Sequence, residues 1–169
     1  FYDKSSLADD NLKFLWDFNS PLSFSENVWD FDALSDYVRM DDAYKVEYGT
    51  GFEIRLKIKA GAQVNKTVIS WSTQISDTPF FLVRSDIVTG DKLSISWRDN
   101  AGSNLCNGTS TDNIFTNSTK DIRIVYNGTN EIKIYINGTE DSTHAVTQQG
   151  AVTLSQVTVG ALRRTFTGL

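Results

Sequence analysis

The chain has 169 residues, enough for one domain that buries about 70% of its unfolded surface. Hydrophobic content of 40% with 12% aromatics excludes a disordered chain, and a net charge of −5 argues against a nucleic-acid partner, whose phosphates demand a basic patch. No apolar run approaches the ~18 residues of a membrane helix, so membrane insertion is not expected. The single Cys106 and single His144 exclude a disulfide framework, a multi-cysteine zinc site and most Ser-His-Asp chemistry.

Residues 1–48 carry Trp16, Trp29, Phe14, Phe18, Phe24 and Phe31 among acidic residues. Short strands are predicted over 13–18 and 37–40, with a turn or two of helix at 5–11. No low-complexity linker interrupts the chain, so residues 1–169 read as one domain, with residues 1–11 as an extension.

Period-two alternation dominates from residue 52. Phe52, Ile54, Leu56 and Ile58 alternate with Glu53, Arg55, Lys57 and Lys59, the pattern of a strand with one buried and one wet face. Further strands are predicted over 68–72, 80–84, 93–98 and 157–159, separated by Gly, Asn, Asp and Ser clusters. The best-specified unit is the hairpin of 121–126 and 131–136. Its register sets Tyr126, Ile124 and Ile122 opposite Ile132, Ile134 and Ile136, because a one-residue slip would expose every isoleucine. The same register pairs Arg123 with Tyr135 on the outer face, a cation–π contact. Many short antiparallel strands, each with one apolar face, pack as two sheets. The predicted fold is an all-β, two-sheet antiparallel sandwich.

Five N-x-S/T triplets occur, at Asn65, Asn107, Asn117, Asn127 and Asn137. In a eukaryotic secreted protein they are glycan acceptors; equally, Asn-Gly and Asn-Ser are turn dipeptides followed by a strand-favouring Thr. Both readings place them in loops.

The segment Asp30-Phe31-Asp32-Ala33-Leu34-Ser35-Asp36-Tyr37-Val38 resembles the opening motif of laminin-G-like domains in the concanavalin A-like lectin and glucanase superfamily. Gly51 to Ile58, the paired Ile124-Val125-Tyr126-Asn127-Gly128 and Ile134-Tyr135-Ile136-Asn137-Gly138, Val157-Thr158-Val159-Gly160 and Phe166-Thr167-Gly168 resemble later motifs of that family, in the same order. The resemblance implies a jelly roll that binds glycans or proteins through rim loops, often with calcium, inside larger surface, adhesive or virion-fibre proteins, hence an extracellular, cell-surface or virion location. The family's last strand, which follows the Phe-x-Gly motif, has no counterpart before Leu169. Either the sequence is cut short of that strand, or the strand is supplied from elsewhere, by a neighbouring chain or by residues 1–10.

A retaining glycosidase needs two carboxylates about 5 Å apart, and alternating Glu-x-Asp-x-Glu would supply them on one sheet face. No such motif exists; Glu140-Asp141, Asp41-Asp42 and Asp9-Asp10 are adjacent pairs that point different ways. Cys106 reads as part of a polar loop without a basic neighbour, and His144 as an exposed loop residue, so no enzyme is expected. Glycan binding combines an aromatic platform with planar polar groups. The candidates are Trp71 and Trp97, which also fit core positions, and the polar loop holding Arg98, Asp99, Asn100 and Asn104. Calcium is the one cofactor considered, with Asp36, Asp99 and Asn100 as its ligands. The basic stripe of Arg55, Lys57, Lys59, Arg123 and Lys133 suits either an acidic ligand or a solvated sheet face. The expected function is a non-catalytic recognition domain for a glycan or glycosylated receptor. The alternative is a structural module of a virion or fibre that binds no sugar.

Overall fold

Alternating side chains can shield one sheet face only against another, and the chain does this with two antiparallel sheets. The computed structural model describes residues 46, 48–73, 78–148 and 150–160, and the backbone of β1 (Phe24–Ser25), β2 (Val28–Trp29) and β3 (Val38–Asp41). Two units are distinguished, Phe1–Asp30 and Phe31–Leu169. In the first, β1 and β2 pair antiparallel. The expected strand at 13–18, the helical turn at 5–11, the Phe166-Thr167-Gly168 motif and residues 1–10 as a sheet-completing segment lie outside the described residues.

In the second unit, β4 (Phe52–Ile58), β9 (Lys120–Tyr126), β10 (Glu131–Ile136) and β11 (Thr139–Ala145) form a sheet of order β11-β10-β9-β4. The other sheet adds β5 (Thr67–Ser72), β6 (Phe80–Ser85), β7 (Lys92–Arg98), β8 (Asn104–Asn113) and β12 (Gln156–Val159) to β3, in the order β3-β12-β5-β6-β7-β8. No helix occurs among the described residues.

The β9–β10 register has Tyr126 opposite Ile132, Ile124 opposite Ile134 and Ile122 opposite Ile136, as the isoleucine pattern demands. Arg123 lies opposite Tyr135 with its guanidinium 4.5 Å from the ring centre. The loop between them is tied by Asn127, whose Oδ1 accepts from the backbone N–H of Thr129, Asn130 and Glu131. Asn137-Gly138 turns β10 into β11 with both residues at positive φ, 51° and 85°, the geometry that matches strand twist in a two-residue hairpin.

In the second unit, two strands were not foreseen. β8 buries the adjacent Leu105 and Cys106 and then Gly108, but is otherwise Asn, Ser, Thr and Asp, so it lacks an apolar alternation. Thr139-Glu-Asp-Ser-Thr-His-Ala145 has no large apolar residue, and β11 forms because the tight turn feeds it along β10. Both are outer strands of their sheets, and side chains join them. The Asp141 carboxylate accepts from the N–H groups of Thr111 and Asp112, at 2.8 and 2.9 Å. His144 is therefore a half-buried strand residue, not an exposed loop one, and burial pulls its pKa below the ordinary histidine value. A Cβ at Gly108 would sit 2.5 Å from the His144 ring, so glycine there lets the two sheets approach.

Between the sheets lie Phe52, Ile54, Ile122, Ile124, Tyr126, Ile132, Ile134 and Ile136 from one side, and Trp71, Phe81, Val83, Leu93, Ile95, Trp97 and Val157 from the other. The outer face of the four-stranded sheet is charged. Glu53 pairs with Arg55 and, at 3.3 Å, with Arg123; Lys57 pairs with Asp121, and Lys133 with Glu131 and Glu140. Most of the basic stripe is thus neutralised by its neighbours and reads as a solvated face.

Ile134 is fully buried at the centre of this core. Ile134→Ala should cost about 4 kcal/mol in urea unfolding, through lost burial plus the cavity left behind. Lys57→Ala on the wet face of β4 should cost less than about 0.5 kcal/mol in the same assay.

Candidate ligand-binding rim

Strand direction brings the β7–β8 loop (99–103), the stretch 146–155 between β11 and β12, the segment before β6 and the β9–β10 loop to one end of the sandwich. This is the end the sequence singles out. The β7–β8 loop closes as a turn on Asp99, which is buried at 2% exposure. Its Oδ1 accepts from the N–H of Ala101 at 2.9 Å and of Ser103 at 2.8 Å, while its own N–H donates to the Ser103 carbonyl. A Cβ at Gly150 would lie 2.8 Å from Asp99 Oδ2, so the carboxylate also fixes how closely the second loop approaches.

Asn100 joins the two loops. Its N–H donates to the Ala151 carbonyl at 2.8 Å, its Oδ1 accepts from Thr153 N–H at 3.0 Å, and its Nδ2 donates to Thr153 Oγ1. Thr78 Oγ1 donates to the Asn100 carbonyl, bringing in the segment before β6. Thr147 N–H donates to the Leu105 carbonyl, and Val146 N–H to the Asn130 carbonyl, so the remaining loops are tied to the same frame. Asn100, Ala101, Ser103, Asn104, Thr147, Gln148, Ala151 and Thr153 are exposed on it. Arg98 is partly exposed with its guanidinium 5.7 Å from the Phe80 ring centre. Asn104 stands opposite Arg98 in the β7–β8 pairing.

The sequence-level candidates divide accordingly. Arg98, Asn100 and Asn104 come together at this rim, with Asp99 beneath them as its internal fastener. Trp97 and Trp71 are corrected as stacking platforms: at 0% and 7% exposure, neither ring face is open to a sugar. Trp97 instead meets Tyr126, Phe81, Phe52 and Tyr48 at centroid distances of 5.2 to 6.2 Å, and Trp71 meets Phe81. Among the described residues, the part-exposed aromatic ring at this end is Tyr48, whose hydroxyl donates to the Thr129 carbonyl. Neither Tyr48 nor the 146–155 loop was foreseen, because neither lies in an alternating run.

Of the calcium candidates, Asp36 lies outside the described residues. Asp99 directs an oxygen to backbone N–H groups of its own loop and Asn100 directs its side-chain oxygen to the Thr153 N–H of the neighbouring loop, and no cluster of three His, Cys, Asp or Glu side chains suited to a metal occurs among the described residues. Cys106 is corrected from a polar loop to a buried position in β8, and burial pushes its thiol up to about 11. Glu140 and Asp141 diverge as expected, one toward Lys133 and the other toward β8. Asn65, Asn117, Asn127 and Asn137 are exposed in loops, the first, second and fourth at positive φ. Asn107 is exposed in β8 rather than a loop, its Oδ1 accepting from Ser96.

No protein-family model matches the chain, and no curated protein does. Among solved structures, the binding domain of botulinum neurotoxin serotype G superposes with a TM-score of 0.58 at 16% identity, covering 84% of this chain and 34% of that one. The LG1–3 region of the laminin α2 chain superposes with a TM-score of 0.52 at 18% identity, over 76% of this chain and 25% of that one. The fold is the laminin-G-like jelly roll. Botulinum neurotoxin type C, which depends on interaction with two ganglioside molecules to enter cells, gives a TM-score of 0.52 at 17% identity, over 67% and 27% of the two chains. This jelly roll spans about a quarter to a third of the length of these structures.

Asp99→Ala should destabilise the domain by about 2 kcal/mol in urea unfolding, since two backbone N–H groups lose their acceptor in a buried turn; Asp99→Asn, which keeps an acceptor oxygen, should cost less. The Cys106 thiol should resist Ellman's reagent in native buffer and react fully in 6 M guanidinium, about 6 M being well beyond the unfolding midpoint of an ordinary domain.

Proposed function

We propose that this jelly roll is a non-catalytic recognition domain of a larger extracellular, cell-surface or virion protein, binding a glycan or a glycosylated receptor through the rim of residues 98–104 and 146–154. The observation that carries the reading is the double attachment of Asn100. It locks two loops into one frame whose exposed groups are amides, hydroxyls and the Arg98 guanidinium. Such groups, held at fixed spacing, hydrogen-bond paired sugar hydroxyls at little ordering cost. The likeness to toxin binding domains, one of them from a ganglioside-dependent toxin, supports the same reading. Arg98 and Asn104 are assigned direct contact, Asn100 and Asp99 the positioning of the rim. Tyr48 is assigned the stacking role that the buried tryptophans cannot take. Because Asp99 and Asn100 spend side-chain oxygens on backbone N–H groups of the two loops, binding is proposed to be independent of calcium.

A second reading, an assembly module that binds no sugar, is favoured by β4. Among the described residues it pairs with β9 alone, which leaves one edge for a strand of a neighbouring chain.

A glycan array probed with calcium and with EDTA tests both. The recognition reading predicts a related set of sugars bound equally in the two buffers, with affinity lowered at least about tenfold by Arg98→Ala or Asn104→Ala, the scale of one lost charged or bidentate hydrogen bond. A blank array with the fold confirmed by circular dichroism selects the assembly module. Loss of binding in EDTA alone restores calcium to the rim.

A further inference from the structure

At the opposite end of the sandwich, the β4–β5 loop (59–66) and the β6–β7 loop (86–91) lie side by side. Gln63 N–H donates to the Gly90 carbonyl at 3.2 Å, Asn65 N–H to the Asp86 carbonyl at 3.0 Å, and Ser85 N–H to the Lys66 carbonyl at 2.8 Å. Ser85 Oγ accepts from Lys66 N–H and donates to the Gln63 carbonyl. A Cβ at Gly90, where φ is 76°, would fall 2.5 Å from the Gln63 backbone, so only glycine permits this approach.

The second loop is also braced from inside. The buried Asp86 carboxylate accepts from the N–H groups of Val88, Thr89 and Lys92 and from Thr89 Oγ1. Burial alone would raise its pKa, but the N–H donors prevail and hold it well below the usual carboxylate value. The ordering cost of the tip is therefore met in the free protein.

What this bracing presents is apolar. Val64, Ile87 and Val88 are the exposed large hydrophobic side chains among the described residues, at 49%, 59% and 79%, and all three stand on these two loops. A braced loop gains nothing in stability from bare aliphatic tips, so their grouping points outward to a ligand. Lys59 and Lys66 belong to the first loop, Lys92 follows the second and Lys120 stands opposite Ile58 at the same end, none paired with a carboxylate among the described residues, whereas Asp86 is buried and Asp91 accepts from Thr89 Oγ1.

Three aliphatic side chains fall far short of the ~800 Å² per partner of a stable protein–protein interface. They suit insertion among acyl chains, with lysines at headgroup depth. We propose that the Val64–Ile87–Val88 tip docks peripherally on an anionic lipid surface. This goes beyond the absence of membrane insertion read from the sequence, since a tip that touches the headgroup–acyl boundary needs no spanning segment. It uses the end remote from the sugar-binding rim and stands or falls separately from it.

The test is co-sedimentation with phosphatidylcholine vesicles and with vesicles containing about a third phosphatidylserine, an anionic fraction chosen to give a substantial surface potential. Binding to the second kind, weakened at least about tenfold by Ile87→Ser/Val88→Ser and, to a smaller extent, by Lys66→Glu and by raised salt, is the expected result. Both substitutions lie on exposed side chains, so thermal melting should be unchanged. No binding to either vesicle overturns the proposal, as does binding that the tip variants leave intact. Concentration-dependent dimerisation that the double variant abolishes would assign the tip to a second copy and overturn it likewise. Glycan-array binding by the double variant should match that of the parent whichever way this test falls.

Discussion

Everything at the candidate rim rests on the edge-to-face contact between Trp97 and the aromatic rings around it. Trp97 is on β7 of the six-stranded sheet, and it meets Tyr126 of β9 and Phe52 of β4 across the sandwich at 5.2 and 5.8 Å. Phe81 of β6 closes the group at 5.5 Å from Trp97 and 5.4 Å from Phe52. Rings pair favourably in this orientation because positive edges meet negative faces, and each ring removes a large apolar area from water. The two sheets are therefore locked at the end where β7 delivers Arg98, Asp99 and Asn100. The indole N–H of Trp97 finds no acceptor, which marks the ring as present for its area and shape.

From that anchor the two ends of the sandwich diverge in chemistry while sharing a construction rule. At each end a buried aspartate gathers backbone N–H groups, Asp99 in one loop and Asp86 in another. Each carboxylate makes a turn into a fixed support. The Asp99 support presents amides and hydroxyls, which match sugars. The Asp86 support presents aliphatic tips with lysines on the same end of the sandwich, the chemistry on which the lipid proposal rests. A glycan held at one end and a lipid surface met at the other would let a single small domain attach at two points, raising effective concentration without a large interface.

The sheets were legible because burial enforces strict alternation. Ile122, Ile124 and Tyr126 against Ile132, Ile134 and Ile136 admit one register, and the cation–π pair of Arg123 and Tyr135 follows from it. β8 and β11 were not legible, because edge strands need little apolar area and are held by a hairpin turn and by Asp141 reaching across. The rim was half legible. Arg98 to Asn104 is contiguous and polar, so composition flagged it, whereas Thr153 and Tyr48 join it only through long-range contacts. Trp71 and Trp97 misled for a simple reason. An aromatic at an inward position of a strand near a loop fits a platform and a core equally, and only packing decides between them.

The central claim, that the aromatic cluster fastens the two sheets beneath the rim, is tested most directly by a double-mutant cycle on Phe52→Leu and Trp97→Phe followed by urea unfolding. The account predicts a coupling of about 1 kcal/mol between these residues of opposite sheets, because each ring's edge-to-face contact depends on the other. Additive effects, agreeing within about 0.3 kcal/mol, would mean that the rings merely fill space and that the rim is held by its own loops.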